Sequence, residues 1–272
     1  MAATIPAPAR RRKVPRPFPL RVGVAEVLAA APLTPRMRRI VLTAPGFADF
    51  PVEEPGEIIT LLWSAPGEEL VLPCDGWRFP AGAPVPHARN YTVRHHDPDA
   101  GTLVVDFVLH GDHGIASRWA AAARPGDRVG YAGPRAHWET VDDGAAWTLL
   151  VADETGLPAL AAIAEALPAE HRVIACVEIA DAEERQPIRS AAPLDVRWIT
   201  RDGVPPGETQ ALLDAVRVLP LPDGRGRVWG AGESGVMRAI RDHLRDERDI
   251  PQAAMSVLGY WKHDTTKDWM LE

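Results

Sequence analysis

The segment with the most chemistry in this chain runs from residue 89 to residue 117. It begins with a strand-like run that offers a fixed cation, an aromatic ring and a hydroxyl, on Arg89, Tyr91 and Thr92. A second strand-like run, 103–110, leads into the glycine-bearing segment 111–117, where a helix starts. A flavin dinucleotide needs a counter-charge for its pyrophosphate, a surface against its rings, a polar contact at its reactive edge and backbone amides for phosphate. These residue types at this spacing therefore predict a flavin site.

Alternation along the two strands predicts which side chains share a face. Arg89 and Tyr91 face the same way, so the guanidinium could hold a pyrophosphate while the phenol packs on the ring system. Thr92 points the other way and reaches the flavin edge only at a strand end or a twist. On the neighbouring strand, one face carries Asp106, Val108 and His110. The opposite face is apolar and typical of core: Leu103, Val105, Phe107 and Leu109.

Each of these features also has a simpler interpretation. A strand arginine and tyrosine are more often surface and core residues, and a lone histidine such as His110 is more often structural. The segment 111–117 could be a plain loop, with Ser117 in a first helical turn. Glycines let the backbone approach a ligand, however, and a helix start directs unpaired amides and a positive dipole at an anion. Only the combination favours a cofactor site.

The composition is that of an ordinary globular protein with two cysteines. With 272 residues, 46% hydrophobic and 25% charged, the chain can form one large domain or two of ordinary size. A net charge of -7 argues against nucleic acid as the main partner. Cys74 and Cys176 leave no ligand set for zinc or an iron–sulfur cluster and no disulfide framework, which favours a reducing cytosol. We therefore expect a cytoplasmic monomer with no bound metal.

Residues 1–17 are predicted to be a mobile tail. They carry the basic cluster 10–13 and several prolines, but the apolar core of a secretory signal does not follow. An arm that binds a membrane surface or nucleic acid is the alternative. No later run approaches the ~20 apolar residues that a membrane span requires, so we expect no membrane partner.

The period of the sequence changes near residue 144. From Arg21 to about residue 136, short strands separated by Pro-Gly turns predict a small antiparallel barrel, interrupted by one helix at about 115–123. From Trp147 onward, strands alternate with helices, which predicts a parallel sheet with right-handed crossovers. We therefore expect a barrel domain over 18–143 and a nucleotide-binding domain over 144–272.

Six collinear segments resemble the siderophore-interacting protein family of flavin-dependent ferric-siderophore reductases, and the resemblance runs from about residue 18 to the C-terminus. They are 89–94, 106–111, 114–119, 153–159, 231–234 and 259–262.

The resemblance implies a ferredoxin-reductase-like fold, with an antiparallel β-barrel FAD domain followed by an α/β nucleotide-binding domain with a parallel sheet. It implies FAD as cofactor and NADH or NADPH as electron donor. Without the resemblance, Asp153 and Thr155 could equally form only the N-cap of the helix that follows them. The residues implied to contact the cofactor are Arg89, Tyr91, Thr92, Val93, Asp106, Val108, Leu109, His110, Gly114, Ala116, Ser117, Asp153, Thr155 and Trp261.

The segment 230–235 matches the spaced-glycine dinucleotide fingerprint in form, between a predicted strand and a predicted helix. It comes at the last strand–helix turn, and no acidic residue at the end of a second strand follows about 20 residues later. Within the family it corresponds to a loop near the nicotinamide, which assigns Gly230, Ala231, Gly232 and Glu233 to the nucleotide. A 2′-phosphate would need a cation placed in space, and Arg201 and Arg238 are the candidates.

For the substrate, the resemblance implies a basic patch that contains Arg135 and Lys262. Thr60 stands where the family often has lysine, and Lys262 stands where arginine is more usual, with His263-Asp264 in place of a glycine. Lysine does not reproduce the bidentate contact of arginine. The alternative is that Lys262, His263 and Lys267 form a solvated tail.

The implied activity is NAD(P)H-dependent reduction of an Fe(III)-siderophore, a small-molecule partner, with release of Fe(II) in the cytosol. Hydride passes to the flavin and single electrons then pass to iron, so no catalytic acid or base is required. Two alternatives stay open. One is a flavin reductase with another acceptor, such as a quinone, free flavin or a partner protein, and the other is a siderophore-binding module with structural FAD.

Overall fold

The structure is a computed structural model that describes residues 21–65, 67–74, 77–111, 114–136 and 144–263. The predicted tail and most of the predicted boundary, 141–143, lie outside these residues. In the first half, an antiparallel sheet has the order β4-β3-β7-β1-β2-β6-β5. Its strands are β1 (Arg21–Thr34), β2 (Met37–Thr43), β3 (Ile58–Trp63), β4 (His87–Thr92), β5 (His95–Asp97), β6 (Thr102–Val108) and β7 (Arg128–Arg135).

Alternating apolar residues close this sheet around one core. Leu103, Val105 and Phe107 of β6 have no exposed surface, as the alternation predicts. The rings of Phe107 and Tyr91 have centroids 4.2 Å apart, although β6 and β4 are not neighbours in the sheet. The sheet therefore curls into the predicted barrel. The helix α1 (Ile115–Ala122) packs Ala116 and Ala120 into the same core.

The second half is a parallel sheet of the order β10-β9-β8-β11-β12 with helices on both faces. Its central strands, 147–152 and 172–179, are nearly continuous apolar runs because both of their faces are buried. The strands are β8 (Trp147–Ala152), β9 (Arg172–Ile179), β10 (Leu194–Thr200), β11 (Gly226–Glu233) and β12 (Met255–Trp261). The helices are α2 (Leu157–Ala166), α3 (Ala211–Arg217) and α4 (Ser234–Asp246). Among the described helices, none has the length and apolarity needed to cross a membrane.

Polar contacts hold the two halves together. The guanidinium of Arg94, just after β4, donates to both carboxylate oxygens of Glu165 on α2 at 2.8 and 2.6 Å. Glu184, buried after β9, accepts from the hydroxyl of Thr34 at 2.5 Å and from the backbone N–H of Arg36 at 2.9 Å. These contacts fix the edge of the parallel sheet against the barrel and so shape the space between them.

Candidate flavin site

A cavity of about 330 Å³ lies between the barrel and the carboxyl end of the parallel sheet. This volume falls within the ~300–1,000 Å³ range of small-molecule sites. Both domains contribute to its walls: Ile58, Arg89, Asn90, Tyr91, Thr92, Asp106, Val108, His110, Gly114, Ala116, Ser117, Thr155, Pro158, Leu258, Gly259, Tyr260, Trp261 and Lys262. Eleven of the fourteen residues predicted to contact the cofactor are among them, counting from Arg89 to Trp261.

One end of the cavity has the features of an anion site. Arg89 donates one hydrogen bond to the carbonyl of Ala88 at 2.8 Å, and within the described chain no carboxylate pairs with it. Gly114 precedes α1 with a φ of 88°, a conformation that favours glycine, and the first amides of the helix have no intrahelical partner. The buried hydroxyl of Ser117 accepts from the N–H of His110 at 3.2 Å and donates to the carbonyl of Gly111 at 3.1 Å, so it orders this loop.

Tyr91 and Thr92 reach the cavity for different reasons. The Tyr91 ring packs against Phe107 and stands edge-on to Trp63, with centroids 6.3 Å apart. Thr92 is the last residue of β4, so the strand end that its predicted role required is present. Across from it lies Tyr260 of β12, whose phenol oxygen is buried without a hydrogen-bond partner. Burial raises the pKa of Tyr260, and the neighbouring Thr92 side chain opposes that shift.

Three predicted cofactor residues have their side chains engaged elsewhere. Asp106 lines the cavity, but both carboxylate oxygens accept from the guanidinium of Arg39 at 2.7 Å. Val93 lies in the barrel core and Leu109 packs against that core. Their predicted contacts with the cofactor stay predictions, and for Val93 and Leu109 they would have to come from backbone atoms.

Asp153 connects three strand ends rather than lining the cavity. Its Oδ1 accepts from the backbone N–H and the hydroxyl of Thr155 at 2.8 and 2.6 Å. Its Oδ2 accepts from the N–H of Glu233 at 3.0 Å and from the indole Nε1–H of Trp261 at 2.8 Å. Burial raises the pKa of Asp153, while the hydrogen bonds from Thr155 and Trp261 oppose this effect. The carboxylate thus holds Trp261 at the wall of the cavity.

The spaced-glycine segment is not the turn that its pattern predicts. Gly230, Ala231, Gly232 and Glu233 are the buried carboxyl half of β11, and α4 begins at the next residue. The carboxylate of Glu233 caps that helix by accepting from the N–H of Val236 at 2.8 Å. None of the four lines the cavity. Their role toward the nucleotide stays a prediction; the first strand–helix turn of this sheet is the segment 153–156.

The two predicted substrate cations lie at the margin of the cavity. Lys262 is exposed and forms part of the wall. Arg135 donates to Oδ1 of Asn90, a wall residue, at 2.8 Å and lies 3.5 Å from the hydroxyl of Thr60. Thr60 itself donates to the same Asn90 oxygen at 2.7 Å. The position where the family often has lysine therefore adjoins Arg135, and desolvation lowers the pKa of this arginine.

Sequence reasoning missed part of the wall. The residues not predicted as site residues are Ile58, Asn90, Pro158, Leu258, Gly259 and Tyr260. Asn90, Pro158, Gly259 and Tyr260 lie inside three of the recognised segments, 89–94, 153–159 and 259–262, so those segments themselves carried the signal. Ile58 of β3 and Leu258 of β12 lie outside these segments and reach the cavity only because the two sheets face each other.

The fold and the cavity define an FAD-binding flavoprotein of the ferredoxin-reductase-like class. A solved structure entitled ferredoxin reductase in carbazole 1,9a-dioxygenase has a TM-score of 0.64 at 18% identity, covering 90% of this chain and 70% of that chain. Two protein-family models match this chain. The model of the siderophore-interacting FAD-binding domain matches residues 26–138, and the model of the siderophore-interacting protein matches residues 145–264. The chain belongs to the siderophore-interacting protein family.

Similar proteins cover nearly the whole chain. The crystal structure of a siderophore utilization protein from T. fusca has a TM-score of 0.82 and 35% identity, covering 92% of this chain and 96% of that chain. Ferric vibriobactin reductase ViuB of Vibrio cholerae is 29% identical and covers 85% of each chain. The NADPH-dependent ferric-chelate reductase of Escherichia coli is 28% identical over 89% of this chain and 93% of its own.

The cavity fits the cofactor of this family. Arg89, which has no carboxylate partner among the described residues, and a helix start offer a place for a pyrophosphate, and an aromatic ring and a terminal strand hydroxyl lie beside them. FAD is therefore the cofactor of the barrel domain.

Proposed function

We propose that this protein uses a reduced nicotinamide nucleotide and FAD to reduce ferric siderophores and release Fe(II). The observation that carries the proposal is the cavity itself. One wall is the predicted flavin surface of the barrel, the other is the strand end of the nucleotide domain, and cations stand at its margin. The names of the relatives from Vibrio cholerae and Escherichia coli, both ferric reductases, agree with it.

The position of each residue in the cavity indicates which part of the cofactor it would contact. Arg89 and the first amides of α1 would hold the pyrophosphate, the Tyr91 ring would support the flavin, and the Thr92 hydroxyl would contact its reactive edge. Once bound, FAD supplies the chemistry of accepting a hydride and donating single electrons. Trp261, held by Asp153, and Tyr260 close the side of the cavity formed by the nucleotide domain.

Cations at the margin would select the substrate. Ferric siderophores often carry acidic groups, and Lys262 and Arg135 offer positive charge that no described carboxylate neutralises. Fe(II) binds hard oxygen donors less tightly than Fe(III), so reduction releases the metal without a protein acid or base. The free Cys74, exposed, and Cys176, buried, fit a reducing compartment, and we place the reaction in the cytosol.

The test is an anaerobic titration of the purified, FAD-loaded protein. We expect NADH or NADPH to bleach the flavin, and a ferric siderophore to reoxidise it while a chelator traps Fe(II). The variants Arg135→Ala and Lys262→Ala should slow reoxidation and leave bleaching unchanged. If the reduced flavin is reoxidised by a quinone but by no ferric siderophore, the proposal that a siderophore is the substrate is refuted. A protein that binds siderophore with a flavin that no nucleotide bleaches would refute the enzymatic role.

A further inference from the structure

The second sheet has the strand order of a dinucleotide-binding fold, and the order reverses between β8 and β11. In such sheets a dinucleotide lies across the carboxyl ends of the strands at that point. Its adenosine half faces the loops after β9 and β10, residues 180–190 and 201–210. The charges in these loops therefore decide whether a phosphate on the 2′ position of that adenosine is tolerated.

The cation that could best hold a 2′-phosphate is already paired. Arg201 directly follows β10, but its side chain is only 4% exposed. Two of its nitrogens donate to the carboxylate of Glu154 at 2.7 and 2.9 Å, and a third contact reaches Glu178 at 3.6 Å. Arg238, the other candidate, is exposed on α4 and belongs to neither loop. The charge of Arg201 is thus matched inside the protein.

Carboxylates dominate what remains of this edge. Glu178, near the end of the second strand of the sheet, is buried, and its Oε2 has no hydrogen-bond partner. It follows the first strand–helix turn at about the 20-residue spacing at which dinucleotide folds carry an acidic ribose ligand. Beyond it come Asp181 and Glu183, with the Asp181 side chain accepting from the N–H of Glu183 at 2.9 Å. In the second loop Arg201 is the one cation, beside two carboxylates.

The remaining arginines of the first loop follow a segment that is tied to the other domain. Arg185 comes directly after Glu184, whose carboxylate accepts from Thr34 and Arg36 of the barrel, and Arg189 follows four positions later; both arginines are exposed. Asp181 and Glu183 lie closer to the end of β9 in sequence than either arginine, so the charges next to the strand end are negative.

We propose that the electron donor is NADH, because Asp181 and Glu183 and the internal pairing of Arg201 exclude a 2′-phosphate. A phosphate monoester carries about −1.5 to −2 charges at neutral pH; next to the strand ends it would meet the carboxylates of Asp181 and Glu183 and an arginine, Arg201, that is already paired. The 2′-hydroxyl of NADH is instead a donor that a carboxylate accepts. This inference rests on the proposed use of a nicotinamide nucleotide.

Two measurements on the FAD-loaded protein test it. Anaerobic stopped-flow bleaching should give a kcat/KM for NADH at least about tenfold that for NADPH, since like charges at a binding site are costly. Calorimetry should show that ADP binds more tightly than 2′,5′-ADP by a similar factor. The difference between the two affinities should become smaller as the salt concentration is raised. Equal or better use of NADPH, or equal binding of the two nucleotides, would overturn the proposal.

A pair of variants separates local charge from net charge. Glu183→Arg reverses an exposed charge after β9, and it should raise the ratio of kcat/KM for NADPH to kcat/KM for NADH several-fold. Glu170→Arg makes the same change at the exposed turn before β9, the opposite edge of the sheet, and should leave the ratio unchanged. If neither nucleotide bleaches the flavin while ADP still binds more tightly than 2′,5′-ADP, the reductase proposal fails and the nucleotide selectivity stands.

Discussion

Replacing Asp153 with asparagine should destabilise the protein strongly although the two side chains have the same shape. Asparagine can keep an oxygen toward the N–H and hydroxyl of Thr155. Its amide nitrogen then faces two donors, the N–H of Glu233 and the indole N–H of Trp261, which the carboxylate now satisfies at 3.0 and 2.8 Å. Both hydrogen bonds are lost and donors are left facing donors.

The size of the loss follows from the burial of each donor. An unsatisfied buried donor costs ~1–3 kcal/mol. The Glu233 N–H lies in a buried strand end, whereas Trp261 is partly exposed and its indole can turn toward water. We therefore expect Asp153→Asn to lower the free energy of unfolding by about 2–4 kcal/mol, a large part of the ~5–15 kcal/mol of a typical domain.

Urea unfolding of the FAD-free protein, followed by far-UV circular dichroism, measures this change. The matched control is Asp195→Asn, which removes an exposed carboxylate 3.7 Å from Arg197 in the same domain and should stay within about 0.5 kcal/mol. If Asp153→Asn also stays within about 0.5 kcal/mol, the carboxylate does not hold the three strand ends together.

Three further predictions concern the cofactor, pH and the domain contact. Arg89→Ala should weaken FAD binding about 10- to 100-fold, because it removes a charge-assisted contact with the pyrophosphate. Quenching of flavin fluorescence measures the affinity, with Arg128→Ala as the control. If Arg89→Ala binds FAD as tightly as that control, the pyrophosphate assignment is wrong. Burial raises the pKa of Glu178 to about 7, above its unfolded value, so the wild type should lose stability as pH rises from about 5 to 8. The variant Glu178→Gln should lack that part of the slope in urea midpoints, and an identical slope would contradict the shift. Arg94→Ala should cost about 1 kcal/mol by breaking the partly buried pair with Glu165 between the domains, and urea midpoints unchanged by the substitution would show that the pair contributes nothing.

The local pattern of the sequence was enough to predict both sheets and the barrel wall of the site. Alternation identified the core face of β6, and the last residue of β4 is Thr92, where a strand end was needed. These features depend on backbone period and burial, which neighbouring residues encode. The domain boundary and the cofactor roles of individual residues stay predictions.

Pattern reasoning failed where a glycine motif suggested a turn. The segment 230–233 continues β11 because its two edges pair with β8 and β12 and its residues are buried, and both the pairing and the burial come from residues far away in the chain. The pairing of Arg201, one of the two candidates for a 2′-phosphate, was also beyond sequence reasoning, because its carboxylate partner lies 47 positions away.

The sequence by itself therefore determined the two-domain class, the strand and helix periods and the barrel residues that face the cavity. Only the tertiary structure decided what each buried polar group does. Asp153 meets Glu233 and Trp261 across separations of 80 and 108 residues because strand order places β8, β11 and β12 side by side. Whether a buried carboxylate holds neighbouring strands together or binds a ligand depends on which hydrogen-bond donors surround it. The order of the strands in the sheet determines which donors those are.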